Sequence, residues 1–110
     1  MRPHKEEEPM MRMVPRILDN GRTVLGVEVK LPKTTLLVWT TENGYIMCGA
    51  LDVGLLNERL KDRGIVAGRA VGVKTLDELF EAPLESVTLA AEARGIAPGM
   101  KGYEALHLMA

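Results

Sequence analysis

Cysteine, aromatic side chains and excess charge are all scarce in this 110-residue chain, and each scarcity excludes a class of protein. The single cysteine, Cys48, excludes an internal disulfide framework and favours a reducing, cytoplasmic setting. Aromatic residues make up 4% of the chain, and 14 Lys and Arg residues stand against 15 Asp and Glu residues, for a formal charge of −1. Nucleic acids and anionic membranes are therefore not expected as partners.

Long apolar runs and metal-ligand clusters are also missing. No segment approaches the roughly 18 apolar residues of a membrane-spanning helix, so no membrane anchoring is expected. The two histidines, His4 and His107, are far apart in the sequence, and a single Glu-x-x-His unit before His107 is too little for a carboxylate-bridged metal pair. The sequence predicts no metal site and leaves any cofactor unknown.

The apolar content is sufficient for one packed domain. Hydrophobic residues make up 46% of the chain, and 110 residues suit a single domain. Residues 1–9 combine two prolines with a block of charge, which predicts a disordered tail. We expect residues 10–110 to form one α/β domain.

Short strands dominate the first half of the predicted domain. Asn20-Gly21 and Asn43-Gly44 are strong hairpin signals. Together with a break at Leu31-Pro32-Lys33, they separate four predicted strands, at residues 10–18, 23–31, 35–41 and 45–48. In the second of these, Leu25, Val27, Val29 and Leu31 alternate with Gly26, Glu28 and Lys30, so the residues of the first set are expected inside and those of the second in water.

Helical signals dominate the second half. Asp52 is a predicted N-cap of a helix that ends before Gly64, and a strand is predicted over 65–74. Thr75 and Glu78 form a predicted capping box. It opens the first of three further predicted helices, at 76–81, 84–94 and 103–109. The pattern predicts an α/β (α+β) fold, with a mixed sheet of about five strands, antiparallel hairpins and one βαβ unit, covered by three to four helices.

This topology predicts where a site would lie. The carboxyl ends of the two parallel strands fall at Cys48-Gly49 and at Lys74-Thr75, and α/β sheets hold ligands at such ends. A thiol, helix amides and cations meeting there would suit a small anion. The candidate ligand-binding residues are Cys48, Gly49, Asp52, Gly68, Arg69, Gly72, Lys74 and Thr75.

Each of these residues also has a purely structural interpretation. An unpaired cysteine is often a small buried apolar residue, and Asp52 can simply cap its helix. The run 64–75 is not a phosphate-binding Walker loop, because Val73 separates its last glycine from Lys74-Thr75, and its small residues can serve close packing. Arg69 can face either a pocket or a subunit boundary.

Three functions remain open on these residues. The first is a self-associating, non-enzymatic domain that binds a small anionic ligand near Cys48 and Arg69; its short chain and open sheet edges favour homo-oligomers. The second is an enzyme with Cys48 as catalytic nucleophile and Asp52 or Arg69 orienting the substrate. The third is a protein-interaction module with a buried thiol.

Four segments of the chain, at 44–52, 56–60, 64–75 and 95–102, together resemble the YunC-like family, which is catalogued as a domain of unknown function. The resemblance covers nearly all of residues 10–109 and leaves the leader outside. It implies a small α/β domain of bacteria and archaea, with no activity, substrate or cofactor attached. It also implies that Cys48, Gly49, Gly68, Arg69 and Gly72 belong to a recurring pattern.

Overall fold

The fold was obtained as a computed structural model, which describes residues 10–58 and 63–110. The predicted tail at 1–9 lies outside the described residues. The elements in chain order are β1 (Met11–Ile17), β2 (Thr23–Leu31), β3 (Thr34–Thr40), β4 (Tyr45–Met47), α1 (Val53–Glu58), β5 (Ala67–Arg69), α2 (Leu76–Glu81), β6 (Ser86–Val87), α3 (Leu89–Glu92) and α4 (Gly102–Met109). None of these helices is long and apolar enough to cross a lipid bilayer.

The strands form one sheet in the order β1-β2-β3-β4-β5-β6. Every neighbouring pair is antiparallel except β4 and β5, which are parallel and joined through α1. The predicted mixed sheet with hairpins and one βαβ unit is confirmed. Its sixth strand, β6, is two residues long and was not predicted as a strand.

The predicted helix over 84–94 is wrong, because that segment contains β6 and the shorter α3. The backbone N–H of Glu85 donates to the carbonyl of Arg69 at 2.6 Å, which joins this segment to β5. Thr88 is buried, and its hydroxyl accepts from the backbone of Ala67 at 3.1 Å and of Ala91 at 3.2 Å. Pairing with β5 therefore prevails over local helix propensity, and the helix begins only after Thr88.

The predicted strand over 65–74 is too long. Only Ala67–Arg69 pair as β5, and the chain turns at Gly72, which has a φ of 77°. Since such a φ favours glycine, this residue ends extended structure. Gly64, the predicted helix stop, likewise has a positive φ of 60°.

The main core lies on the side of the sheet covered by α2, α3 and α4. Trp39 is 1% exposed, and its indole N–H donates to the carbonyl of Leu76 at 2.8 Å. Its ring meets Phe80 edge-to-face, with 5.5 Å between centroids. Gly26 makes room for this ring, because a Cβ there would lie 2.8 Å from the indole. This contact fixes which side of β2 faces the helices.

The expected orientation of β2 is therefore reversed. Gly26 and Glu28, expected in water, are buried on the helix side, where Glu28 accepts from Arg12 Nε at 2.8 Å. Val27 and Val29, expected inside, point to the other side and are only half-buried. The packing of Trp39 over Gly26 outweighs the apolar alternation of the strand.

The other side of the sheet is covered by α1 at one end only. A second apolar cluster joins Leu51, Val53 and Leu56 to Ala67 of β5, with Tyr45 and Met47 packed against it. At the other end, directly opposed residues of β1, β2 and β3 share one face, here called the open face. By register it consists of Met11, Met13, Pro15, Ile17, Thr23, Leu25, Val27, Val29, Leu31, Thr34, Leu36, Val38 and Thr40.

Candidate ligand-binding cleft beside Arg69

A cleft of about 590 Å³ lies between the loop after β4, the start of α1 and the paired strands β5 and β6. Its size falls within the range of small-molecule sites. The lining residues come from these elements and are Gly49, Ala50, Leu51, Asp52, Val53, Gly54, Asn57, Arg69, Glu85, Ser86 and Val87. The parallel strand end predicted to carry a site thus borders a cleft.

Arg69 is the cation of this cleft. Its side chain is 32% exposed, and its Nη1 lies 3.2 Å from Oε1 of Glu85. The same carboxylate oxygen accepts from the Ser86 hydroxyl at 2.9 Å. The Nε of Arg69 is buried and has no hydrogen-bond partner among the described residues. Because an arginine offers five N–H donors, this ion pair leaves hydrogen-bonding capacity unused.

Gly49 lies beside the free end of this guanidinium. A Cβ at Gly49 would be 3.8 Å from Nη2 of Arg69 and 3.7 Å from Val71. These are ordinary contact distances, so alanine fits there, while a larger side chain would crowd the arginine. The loop after β4 therefore approaches Nη2 through backbone atoms.

Asp52 contributes a carboxylate to the same cleft while serving as a helix cap. Its Oδ1 accepts from the backbone N–H of Leu55 at 3.0 Å, as the predicted N-cap requires. The residue is exposed and lines the cleft. The lining of the cleft therefore contains two carboxylates, those of Asp52 and Glu85, and one guanidinium, that of Arg69.

Cys48 is turned away from these groups. It is 7% exposed and belongs to the main core, and its Sγ lies 3.9 Å from the carbonyl of Thr35. Its backbone N–H donates to Leu37 at 3.1 Å, which extends the β3–β4 ladder by one residue. Since successive residues of a strand face opposite sides, Cys48 faces the helices and Met47 faces the other side. Arg69 pairs with Met47 and shares its side.

Comparison with known proteins places this arrangement in a family. A family model described as "Domain of unknown function (DUF1805)" matches residues 47–109, a range that contains every residue lining the cleft. This chain belongs to the DUF1805 family. It is 61% identical over 97 residues to the "Uncharacterized protein YunC" of Bacillus subtilis (strain 168), which covers 88% of this chain and 95% of that protein. The resemblance to the YunC-like family is thereby confirmed.

A solved structure shares the fold of this DUF1805 domain. The crystal structure of a protein of unknown function, TA1206 from Thermoplasma acidophilum, is similar with a TM-score of 0.82 and 28% sequence identity. The similarity covers 92% of this chain and 94% of that chain. Neither of these two proteins is named for an activity, so a functional proposal for this chain depends on its own geometry.

Two of the predicted ligand-binding residues lie elsewhere in this DUF1805 domain. Thr75 is the N-cap of α2 and accepts from the backbone N–H of Glu78 at 3.0 Å. The Glu78 carboxylate accepts in return from the backbone N–H of Lys74 at 2.6 Å. A capping box normally takes this second bond from the N-cap residue itself, and here it comes from the residue before the N-cap. Thr75 borders a different groove, with Arg12, Arg16 and Trp39.

Two of the three predicted glycines, Gly68 and Gly72, have structural roles outside the cleft lining. A Cβ at Gly68 would lie 2.8 Å from Leu84, so this glycine lets β5 approach the main core. Gly72 forms the turn with positive φ. The structure therefore brings Gly49, Asp52 and Arg69 together at the cleft and leaves Cys48, Gly68, Gly72, Lys74 and Thr75 outside its lining.

Three polar lining residues were missed by the sequence analysis: Asn57, Glu85 and Ser86. Glu85 and Ser86 were assigned to a helix, which hid their position beside β5. The clue was Ser86-Val87-Thr88, whose β-branched residues favour a strand. The side chain of Asn57, on α1, accepts from the backbone N–H of Leu89 at 2.9 Å and so helps to cap α3. This contact joins residues distant in sequence, and no local sequence pattern indicates it.

Proposed function

We propose that this DUF1805 domain binds a small polar ligand through one carboxylate or phosphate group at Arg69. The observation that carries the proposal is the half-buried guanidinium at the cleft, with its Nε unpaired and its Nη2 beside the Cβ-free Gly49. A planar guanidinium binds carboxylates and phosphates through two parallel hydrogen bonds. The ligand's anionic group would approach Nη2 over Gly49, and it would compete with Glu85 for Nη1.

The charges around Arg69 narrow the ligand class. Asp52 and Glu85 both line the cleft with Arg69, so the three side chains sum to one negative charge. A polyanion such as a polyphosphate would be repelled, whereas a single anionic group bonds Arg69 directly. Hydroxyl or amino groups on the same ligand would donate to Asp52 and Glu85. We therefore assign the cleft to a hydroxy or amino acid-like molecule.

Binding is favoured over thiol catalysis by the position of Cys48. A nucleophilic thiolate needs access to substrate and a neighbouring base or cation. The sulfur of Cys48 lies in the main core, on the helix side of the sheet, while Arg69 lies on the other side. His107 on α4 has its Nδ1 2.8 Å from the carbonyl of Tyr103, within its own helix. These positions support a non-enzymatic domain.

Titration of the ¹⁵N-labelled chain with glycolate, serine, inorganic phosphate and pyrophosphate tests the proposal. Glycolate and serine are expected to shift the amide resonances of Gly49 to Asp52, phosphate to shift them less, and pyrophosphate not to shift them. Arg69→Ala should abolish the shifts. It should cost at most about 1 kcal/mol of stability, because both side chains of the ion pair with Glu85 are partly exposed to solvent, at 32% and 48%.

Lys74→Ala is the matched control. It removes one cation from a loop that the sequence predicts to be part of the site and that the structure places outside the cleft lining. The glycolate and serine shifts should persist in Lys74→Ala. Shifts that survive Arg69→Ala, the absence of a shift with both glycolate and serine, or a pyrophosphate shift as large as that of glycolate, would contradict the proposal.

A further inference from the structure

The α1 wall of the cleft carries an amide donor without a partner. Asn57 lines the cleft, and its Oδ1 accepts from the backbone N–H of Leu89 at 2.9 Å. This bond fixes the orientation of the amide, because only the oxygen can accept, so the Nδ2 group is a donor. It has no hydrogen-bond partner among residues 10–58 and 63–110. A ligand in the cleft can therefore accept from Asn57.

The cleft also contains acceptor oxygens that the fold uses only in part. The Oδ1 of Asp52 accepts from Leu55, and the Oε1 of Glu85 accepts from Arg69 and Ser86. The second oxygen of each carboxylate has no hydrogen-bond partner within the described part of the chain. The Ser86 hydroxyl donates its hydrogen to Glu85 and keeps its lone pairs for another donor. Acceptors and donors thus line the same cleft.

This mixture of donors and acceptors discriminates among the ligands that the proposed function allows. An ammonium group only donates, so it can bond Asp52 and Glu85 but leaves the Nδ2 of Asn57 without a partner. A hydroxyl group both donates and accepts, so it can join an acceptor on one residue to a donor on another. Because polar groups left unpaired in a complex reduce affinity, a ligand with several hydroxyls matches this lining better than an amino acid does.

The size and charge of the cleft limit the ligand further. Glycolate and serine are small for a cleft of about 590 Å³, because clefts of this size commonly hold drug-sized molecules. Arg69 is the single cation among the described lining residues, and Asp52 and Glu85 oppose it, so a second acidic group on the ligand would be repelled. On the basis of the proposed binding at Arg69, we infer that the cleft takes a sugar acid, a polyhydroxylated molecule with one carboxylate.

Each part of such a ligand has a partner in the cleft. Its carboxylate bonds the Arg69 guanidinium at Nη2, which lies beside Gly49. Hydroxyl groups near the carboxylate donate to Glu85 and Asp52, and a hydroxyl farther along accepts from the Nδ2 of Asn57. The ligand therefore bonds both the β5–β6 wall and the α1 wall, which glycolate is too short to join.

Titration of the ¹⁵N-labelled full chain with gluconate, glycolate and hexanoate tests this inference. Each probe has one carboxylate; gluconate has a hydroxyl on every other carbon, glycolate has one hydroxyl, and hexanoate has the carbon number of gluconate without hydroxyls. Gluconate should bind about tenfold more tightly than glycolate, because each further hydrogen bond adds modestly to the affinity. Hexanoate should bind no more tightly than glycolate. Equal affinity for gluconate and either of the other two probes would overturn the inference.

These outcomes are distinguishable from a failure of the proposed function. Where gluconate gains nothing over glycolate, but the glycolate shifts at Gly49 to Asp52 disappear in Arg69→Ala, binding at Arg69 stands and the sugar-acid inference is wrong. Where none of the three carboxylates and not serine shifts these resonances, both fail.

A conservative variant of Asn57 tests the hydroxyl contact on the α1 wall. Asn57→Asp keeps an oxygen for the backbone N–H of Leu89 and removes the Nδ2 donor. Its added negative charge weakens gluconate and glycolate alike, so the ratio of their affinities isolates the lost donor. That ratio should fall by about threefold. Lys74→Ala, outside the cleft lining, is the control and should leave the ratio unchanged. An unchanged ratio in Asn57→Asp would overturn the inference.

A variant of Asp52 separates hydroxyl from ammonium recognition. Asp52→Asn keeps the oxygen that accepts from Leu55 and removes one negative charge from the cleft. Serine, whose ammonium loses a counter-charge, should bind about fivefold more weakly, while the affinity for gluconate should change by less than about twofold. Gluconate that weakens as much as serine would overturn the inference.

Discussion

The two sides of the six-stranded sheet differ in what covers them. One side carries α2, α3 and α4 and encloses the main core, which includes Trp39 and Cys48. The other side has α1 packed on the β4–β5 end, the cleft beside Arg69, and the open face on β1, β2 and β3. The sparsely covered side therefore holds the cleft that we assign to ligand binding, and the densely covered side holds the structural core.

The thiol of Cys48 and the guanidinium of Arg69, which the sequence analysis assigns to one site, lie on opposite sides of the sheet. Met47 pairs with Arg69, and Cys48 is the next residue. Strand alternation directs consecutive side chains to opposite sides, so the thiol joins the core while the guanidinium joins the cleft. Nearness in sequence to a strand end is thus not enough to define a site, because the side of the sheet decides which groups meet.

The largest expected effect compares two neighbours on β3. Leu37 is fully buried on the helix side, whereas Val38 lies on the open face. Leu37→Ala should lower the free energy of unfolding by about 3 kcal/mol, since it leaves a core cavity, and Val38→Ala by less than about 1 kcal/mol. Urea denaturation of the two variants and the wild type measures both losses. Equal losses would show that the two sides are packed alike.

Much of the fold is readable from local signals. The Asn-Gly pairs mark hairpins that the structure contains, and Asp52 and Thr75 act at the helix starts predicted for them. Gly64 has the positive φ that favours glycine. These features are decided by short-range backbone chemistry. The segment 84–94 was mispredicted because its backbone bonds with β5, a partner distant in sequence, and such pairing leaves little trace in local propensity.

The site was less predictable than the fold. Arg69 and Gly49 were selected because they flank strand ends, and the structure places both at the cleft. The side of each strand was not predictable, because it depends on the ring of Trp39 packing over Gly26. The reversed β2 follows from that contact, and so does the open face.

Thiol labelling compares the accessibility of the two sides. Cys48 is 7% exposed in the main core, so its maleimide reaction should be about 100-fold slower in the native chain than in urea, because local opening must precede reaction. Arg69→Ala serves as the control, since a change in the cleft should leave this protection intact. Native labelling as fast as in urea would place the sulfur at the surface and revive the nucleophile hypothesis for Cys48.

The smallest expected effect concerns the segments at Cys48-Gly49 and Lys74-Thr75, which the sequence predicts to meet at one site. Thr75 caps α2 through Glu78, so Thr75→Ala should cost about 1 kcal/mol of stability, and Thr75→Ser, which keeps the hydroxyl, should restore most of it. Thermal denaturation measures both changes. Because Thr75 borders the Arg12–Arg16 groove and not the Arg69 cleft, the glycolate-induced shifts at Gly49 should be the same in both variants. A loss of those shifts in Thr75→Ala alone would mean that the segment before α2 and the cleft act as one site. Ligand binding would then not be confined to the side of the sheet that carries the cleft.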